Sequence, residues 1–419
     1  MIKEITVKKF SNFTDKFTLT DRSANHPLFS KMLPFARGAE WKRMRSIVNP
    51  AFSSNKLKSM ENYIGSCSKR LANVLNEKAE AGEKIDTRVI YGSFTLDMIA
   101  EILFGVGMDT LRGEKTPLFH HATTLLNNTP TFKFVFLAAA LFPILRTPLR
   151  LMGYTQLPKK NLDFFVECSL DMVGDRKKSD AKRLDFLQLL LNAESQDRHI
   201  PGEEKKLNSF EICAQLCLFF VAGYETTANT MQFLSHSLAK HPEVQEKLIA
   251  EIESCLGDEE PNSENLVKLT YMDAVISETL RLYPPIPYLT REAFAACEIN
   301  GFHMPAGTGI FIPTFAIGRD EEFFPEPEKF KPERFLDETS PVNPLTVLAF
   351  GFGPRQCIGM RLAMKEIKIA LVYVLRKVKF VEANDIEWPK TLNPTFLQTA
   401  NTVLVRAEKR SRSSPHHDL

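Results

Sequence analysis

The sequence predicts a mainly α fold with a small β region, organised as one helix-rich domain over residues 1–408 with a disordered tail at 409–419. Three observations predict it. From the start to about residue 290, apolar residues recur at three- and four-residue spacing and glycine is sparse, the pattern of amphipathic helices. Between about 290 and 350 the texture changes to short apolar runs broken by Asn300-Gly301 and Pro305-Ala306-Gly307, which are turn signals between strands. No internal repeat and no Pro/Gly/Ser linker divides the chain, so a single unit with a β annex is the simplest account.

The elements follow in order. Ile64–Leu75, Leu162–Val173 and Val244–Leu256 have helical periodicity. His241-Pro242-Glu243 opens the last of these, since proline suits a first turn and an acid suits the positive helix end, and Gly257 closes it. A further helix, Tyr271–Leu282, stops at Tyr283-Pro284-Pro285. Pro325–Phe335 is too rich in proline for regular helix. A final helix spans about Gly359–Val378, and Asn384–Val405 reads as loop with short strands. The most apolar candidate for a surface, Phe134–Leu145, is too short and carries a proline, so it cannot cross a bilayer. It reads either as buried helix or as a lid that touches a membrane interface or lines a channel.

Composition narrows the function. Hydrophobic residues make up 44% of the 419, as in a folded globular chain, and 53 Lys plus Arg against 51 Asp plus Glu leave a net charge of +2. That is no field for capturing nucleic acid. Seven cysteines without a Cys-x-x-Cys pair argue against a disulfide framework or zinc ribbon and fit a reducing compartment. The first thirty residues contain neither a signal-peptide core nor a membrane span.

Cys357 stands apart from the other six. It lies in Phe350-Gly-Phe-Gly-Pro-Arg-Gln-Cys-Ile-Gly359, where three glycines and a proline fix a tight loop before a helix. Backbone N–H groups, the helix start and Arg355 should there favour thiolate, making Cys357 a nucleophile or a metal ligand. None of the nine histidines forms a recognisable base partner for a nucleophile. A lone sulfur ligand points instead to haem iron, for which one thiolate suffices.

This loop resembles the haem-binding signature of the cytochrome P-450 superfamily, Phe-x-x-Gly-x-Arg-x-Cys-x-Gly, with every fixed position filled. Local wording, including Phe220–Thr227 and Cys357–Arg361, is most similar to the animal microsomal group that contains the family-three drug oxidisers. The resemblance extends over essentially the whole chain. It implies a haem b (iron protoporphyrin IX) ligated by Cys357, which pushes electron density that helps break the O–O bond. It also implies a monooxygenase that inserts one atom of O2 into a lipophilic substrate, with NADPH electrons delivered by an acidic reductase.

Four further motifs carry the resemblance. In Ala222-Gly-Tyr-Glu-Thr-Thr227 a mid-helix glycine and the back-bonding Thr226 predict a local bend or an inserted water. The resemblance places Ala222, Glu225 and Thr226 on the oxygen side of haem, with Glu225 and Thr226 relaying protons. Glu278-Thr-Leu-Arg281 puts opposite charges three apart on a helix, ordinarily a weak surface pair. The family's pattern adds Arg334, from Pro332-Glu-Arg-Phe335, to make a buried network that locks the Cys357 loop. Trp41-Lys-Arg-Met-Arg45 places two hydrogen-bond donors on one helix face. By resemblance Trp41 and Arg45 hold a propionate together with Arg355 and Arg291, and Phe350 contacts the cofactor.

Lys42, Arg43, Lys56, Lys58, Lys365 and Lys368 form a basic face that would steer the reductase. In microsomal relatives the Trp-x-x-x-Arg helix follows an anchor, a first helix and two strands. Here it starts at Trp41, so the fold is expected to lack those elements, and the strand near Gly309–Phe315 should expose an edge. Family membership implies the cytoplasmic face of the endoplasmic reticulum membrane. Two rival readings remain at this level, a peroxide-rearranging isomerase or synthase and an inactive haem-binding fragment.

Overall fold

A computed structural model describes residues 1–18, 27–125, 138–139, 141–152, 158–178, 185–195, 206–339, 341–383, 393–394, 397–399 and 403–410. Among these the helices of eleven or more residues are α1 (Gly38–Val48), α2 (Glu61–Glu80), α3 (Thr87–Phe104), α4 (Lys159–Lys178), α5 (Ser209–Lys240), α6 (Pro242–Leu256), α7 (Thr270–Leu282) and α8 (Met360–Leu375). The strands are β1 (Ile85–Asp86), β2 (Leu289–Glu292), β3 (Cys297–Ile299), β4 (Phe302–Met304), β5 (Gly309–Ile312), β6 (Val378–Val381), β7 (Asn393–Pro394), β8 (Gln398–Thr399) and β9 (Leu404–Lys409).

The long central helix α5 organises the core. Asn208 caps it by accepting from the Glu211 N–H at 2.9 Å, while the Glu211 carboxylate accepts from the Asn208 N–H at 3.1 Å, a reciprocal capping box. Residues Thr227–Ala239 of α5 are buried without interruption. Such a helix is apolar or internally bonded all round because neighbours cover every face. Helices α3 and α4 pack along it, and α2 packs on α8. One contiguous apolar cluster joins all eight helices.

All four β2–β5 segments fall inside the predicted β region, in two antiparallel pairs, β2 with β5 and β3 with β4. Among the described residues β5 pairs with β2 alone, and Phe311 on it is 45% exposed. The ring of Phe17 packs on Phe311 at 5.7 Å and against Gly309. A three-stranded sheet in the order β1-β9-β6 was not anticipated. Its first strand has only two residues, Ile85 and Asp86, too few for a period-two signal.

Two boundaries are corrected. The last helix ends at Leu375 rather than Val378, because Val378 is already the first residue of β6, paired with Lys409. Lys409 and Arg410 are not tail: Lys409 closes β9, and the Arg410 N–H donates to the Lys377 carbonyl at 2.8 Å. Residues 411–419 lie outside the described residues.

Glu366, two turns into α8, is fully enclosed, with Oε1 left without a hydrogen-bond partner. Burial pushes its carboxyl up to about 8, opposed only by a hydrogen bond with Thr227 on α5. The neutral acid is therefore the native form at neutral pH. Since the folded value lies above the ordinary 4.5, this group's stabilising contribution is complete below about 4.5 and is lost as pH rises to about 8. Glu366→Gln should remove that loss and give a chain more resistant to urea than the parent at about pH 8.5, with a smaller difference at about pH 5. Urea midpoints at the two pH values check it.

Candidate haem site

The loop before α8 is built by its glycines. Gly351 and Gly353 adopt φ of +74° and +78°, a left-handed conformation that residues with a Cβ rarely take. A Cβ on Gly353 would stand 2.2 Å from the Thr6 carbonyl oxygen, so the glycine also lets the N-terminal turn Glu4–Lys8 press against the loop. The Cys357 N–H donates to the Phe350 carbonyl at 2.8 Å, and the Gln356 N–H to the Gly353 carbonyl at 2.9 Å. The backbone N–H groups of Gly359 and Met360 point at the sulfur.

Cys357 has open surface although protein surrounds it closely, so that surface faces an interior space rather than bulk solvent. The thiol's acidity departs from the sequence expectation. Burial is the largest influence and raises its pKa; the Gly359 N–H and the charges of Lys16 and Arg45 lower it without prevailing. Nearby dipoles and cations do not alone hold a thiolate here. A bound metal cation would, since it deprotonates a coordinating thiol outright.

Near the sulfur Lys16 and Arg45 gather, with Arg291 beside Lys16, and among the described residues no carboxylate pairs with any of these three. Arg291 is 2% exposed; its Nη1 donates to the Thr290 carbonyl at 2.7 Å, its Nε has no partner, and burial pulls its pKa down to about 10. No carboxylate pairs with it among the described residues. Arg45, on α1, feels the Cys357 charge and is desolvated. Lys16 was not foreseen, being a single basic residue in a loop without a motif. It is half-buried, and desolvation together with the charges of Arg291, Arg355 and Arg45 pulls it down to about 8. Such a cluster calls for buried anions. A porphyrin that bears two carboxylates and an iron open to sulfur answers both the cations and Cys357, so the donor set fits haem.

Arg355 makes backbone bonds that the resemblance did not imply. Its Nε donates to the Thr14 carbonyl at 2.7 Å, Nη1 to Leu33 at 3.3 Å and Nη2 to Ala36 at 2.8 Å, with Asp15 at 3.6 Å. Its guanidinium lies 4.2 Å from the Trp41 ring centroid. These bonds make it a clamp tying Thr14, Leu33 and Ala36 to the loop, a role that sequence could not reveal because the acceptors are backbone carbonyls. Trp41 is buried under it and also meets Phe10 edge-on. Phe350 is half-buried against the main core.

On α5, Ala222 is exposed and Gly223 and Thr226 are partly so, although Glu211–Cys217 and Thr227–Ala239 are buried. This turn therefore borders an opening in otherwise closed surroundings. The Thr226 hydroxyl donates to the Ala222 carbonyl at 2.6 Å and Thr230 repeats the bond to Thr226 at 2.9 Å. The helix is unbroken across it. Glu225 is 6% exposed, burial raises its pKa, and Arg88 on α3 stands 3.9 Å away.

Glu278, Arg281 and Arg334 converge as the sequence implied. Arg281 grips Glu278 through two bonds of 2.7 and 2.8 Å, and Arg334 Nε reaches the same carboxylate at 3.1 Å. Arg281 also donates to the carbonyls of Gly318, Pro327 and Lys329. The network thus fixes residues 318–334; no bond from it to residues 350–359 occurs among the described residues.

The expected basic face is largely consumed. Arg43 pairs with Glu211, Lys58 with Glu264, Lys365 with Glu61, and Lys368 with Asp273. Lys365 and Lys368 are only 12% and 9% exposed on their side chains, so they bind α8 to its neighbours rather than face a partner. Lys42 stays exposed and Lys56 half-buried.

A mainly helical fold that presents one cysteine at a helix start beside buried cations, and an acid-alcohol pair on its long central helix, has the features of the haem-thiolate oxygenases. The chain belongs to the cytochrome P450 family, whose sequence profile matches residues 1–406. Cytochrome P450 3A12 of Canis lupus familiaris is 37% identical across 99% of this chain and 82% of its own. Cytochrome P450 3A1 of Rattus norvegicus is 36% identical across 98% and 81%, and cytochrome P450 3A29 of Sus scrofa 36% across 94% and 77%. The protein is a haem b-dependent monooxygenase of this family, which acts on lipophilic compounds with O2.

Proposed function

We propose that Cys357 and the Ala222–Thr226 turn border one cavity that would hold haem, with the sulfur of Cys357 as its ligand and the hydroxyl of Thr226 lining the same space. The observation that carries this is their shared exposure within buried surroundings. Bound there, haem would supply the redox chemistry that activates O2. Arg45, Arg291 and Lys16 hold its propionates. Arg355 acts on them through its clamp and Trp41 through the ring it stacks upon. Phe350 shields the sulfur, and Ala222 leaves room above the ring.

Thr226 positions a proton at its hydroxyl and Glu225 replenishes it, while the surrounding apolar wall keeps bulk water away. Thr226→Ala should retain haem and substrate binding but divert electrons, lowering product formed per NADPH several-fold and raising hydrogen peroxide. Parallel assays of NADPH, peroxide and product check this.

Electrons come from NADPH through a reductase, for which Lys42 and Lys56 are the cations left to meet acidic groups. Leu141, Phe142, Ile144, Leu145, Leu151 and Met152 are all exposed, at 63, 57, 85, 38, 78 and 64%. Residues 134–137 and 140 of the predicted apolar stretch lie outside the described residues. A cluster of that kind suits a lipid interface, and no described helix is long and apolar enough to cross a membrane. This cluster would rest on the cytoplasmic face of the endoplasmic reticulum membrane that the family resemblance implies, and the lipophilic substrate would enter from it. Turnover tests the reading: oxygenated product that requires NADPH and reductase supports it, whereas donor-independent conversion of organic peroxides, or no turnover by haem-loaded protein, contradicts it.

A further inference from the structure

Leu33 is held at both its N–H and its carbonyl by side chains from distant elements. The N–H donates to Gln215 Oε1 on α5 at 3.0 Å, and the carbonyl accepts from Nη1 of Arg355, two residues before Cys357, at 3.3 Å. Gln215 Nε2 also donates to the Lys31 carbonyl at 2.7 Å and to the Glu211 carbonyl at 3.2 Å, so both ends of this fully buried amide are occupied. The segment needs such partners. It leaves the short helix Pro27–Lys31 and buries Leu28, Phe29, Met32, Leu33 and Ala36 in the main core, where an unbonded peptide group is costly.

Gln215 also has a place on α5 that burial alone does not explain. Ala222 and Thr226 follow it by seven and eleven residues, close to whole helical turns, so the three share one stripe of the helix. That stripe is closed at Gln215 by residues 31–33 and at Phe219 by Phe52 and Phe186. It opens at Ala222, roughly 10 Å further along.

We propose that Gln215 is a positioning residue that fixes a side wall of the haem space: through Leu33 it ties α5 to the Cys357 loop and so holds the surface on which a bulky ligand rests. This rests on the reading, under Proposed function, that Cys357 and the Ala222–Thr226 turn border one cavity. Arg355 by itself ties the segment to the loop but not to the helix. With Gln215 in place the same residue is bonded from both borders, and neither border shifts without drawing the segment with it. An apolar side chain at 215 would fill a similar volume and bond neither Lys31 nor Leu33. A bulky ligand would then meet a wall that has to be ordered on binding, which weakens its hold, whereas a small one would not reach that wall.

The test uses haem-loaded protein and two azoles whose ring nitrogen binds haem iron, imidazole and phenylimidazole, titrated by absorption in the parent, Gln215→Met, Gln215→Glu and Ala222→Leu. Gln215→Met should weaken phenylimidazole several-fold and leave imidazole and haem content unchanged. Gln215→Glu should bind both as the parent does at about pH 6, because a fully buried carboxyl stays neutral and can accept from Leu33 with one oxygen and donate to Lys31 with the other. Ala222→Leu, which narrows the opening itself, should also weaken phenylimidazole. If Gln215→Met leaves the ratio of the two affinities at the parent value while Ala222→Leu changes it, the proposal is overturned and Gln215 serves stability alone. If Ala222→Leu changes nothing either, the reading of a shared cavity fails and the proposal with it. Should Gln215→Met not retain haem, Gln215→Asn, whose amide falls one methylene short of both backbone groups, carries the same comparison.

Discussion

Glu278→Ala is expected to destabilise the chain by about 3–5 kcal/mol, the cost of leaving a buried charge without its partner. Both side chains of the Glu278–Arg281 pair are fully buried. With the carboxylate gone, Arg281 would keep its bonds to Gly318, Pro327 and Lys329 but hold an uncompensated charge, and the second guanidinium, Arg334, would lose its anion as well. The Lys331 N–H, which donates to the same carboxylate at 2.8 Å, would be stranded too. An exposed pair gives the contrast. Lys247 and Glu333 lie 2.7 Å apart but are 58% and 50% exposed, so Lys247→Ala should cost less than about 1 kcal/mol. Denaturant midpoints for the two variants, measured side by side, decide whether burial sets the difference.

Gly353→Ala should be the most damaging single-methyl change in the cysteine loop. Two costs combine. A left-handed residue with a Cβ is disfavoured by about 1–2 kcal/mol, and the new methyl would stand 2.2 Å from the Thr6 carbonyl oxygen. Backbone meets backbone there, so neither side can rotate away; the loop or the N-terminal turn has to move. Gly351→Ala isolates the first cost, since φ is similar at +74° but its nearest neighbours are 3.8 Å off. Gly351→Ala is therefore expected to fold and take up haem with reduced stability, and Gly353→Ala to purify largely without haem. Haem content per chain reports the outcome.

The parts of this site that sequence revealed are those whose chemistry is local. The glycines, the proline and Cys357 lie within ten residues, and their spacing states a turn, a sulfur and a helix start together. Thr226 and Ala222 are four apart on one helix, so their hydrogen bond follows from helical geometry. Lys16 and the backbone clamp made by Arg355 were hidden because these roles come from convergence. Lys16 meets Arg45, Arg291 and Cys357 only when distant segments fold together, and Arg355 spends its donors on carbonyls that carry no side-chain signature.

Charge proved a poor guide for a similar reason. Lys365 and Lys368 look like a solvated stripe, yet each meets an acid from another helix or its edge. Glu366 did leave a trace: Leu362, Glu366 and Ala370 fall four apart on the buried face of α8, so an acid amid apolar neighbours was visible. The β1-β9-β6 sheet left none, because its first strand is two residues long and pairs with residues more than three hundred positions away.

The central claim is that the sulfur of Cys357 is the protein's bond to haem iron. It is tested most directly by the absorption spectrum of the reduced, carbon monoxide-bound protein. A long-wavelength Soret band in the parent chain that disappears in Cys357→Ala is the predicted result; a short-wavelength band in the parent, or an unchanged spectrum in the variant, would contradict it.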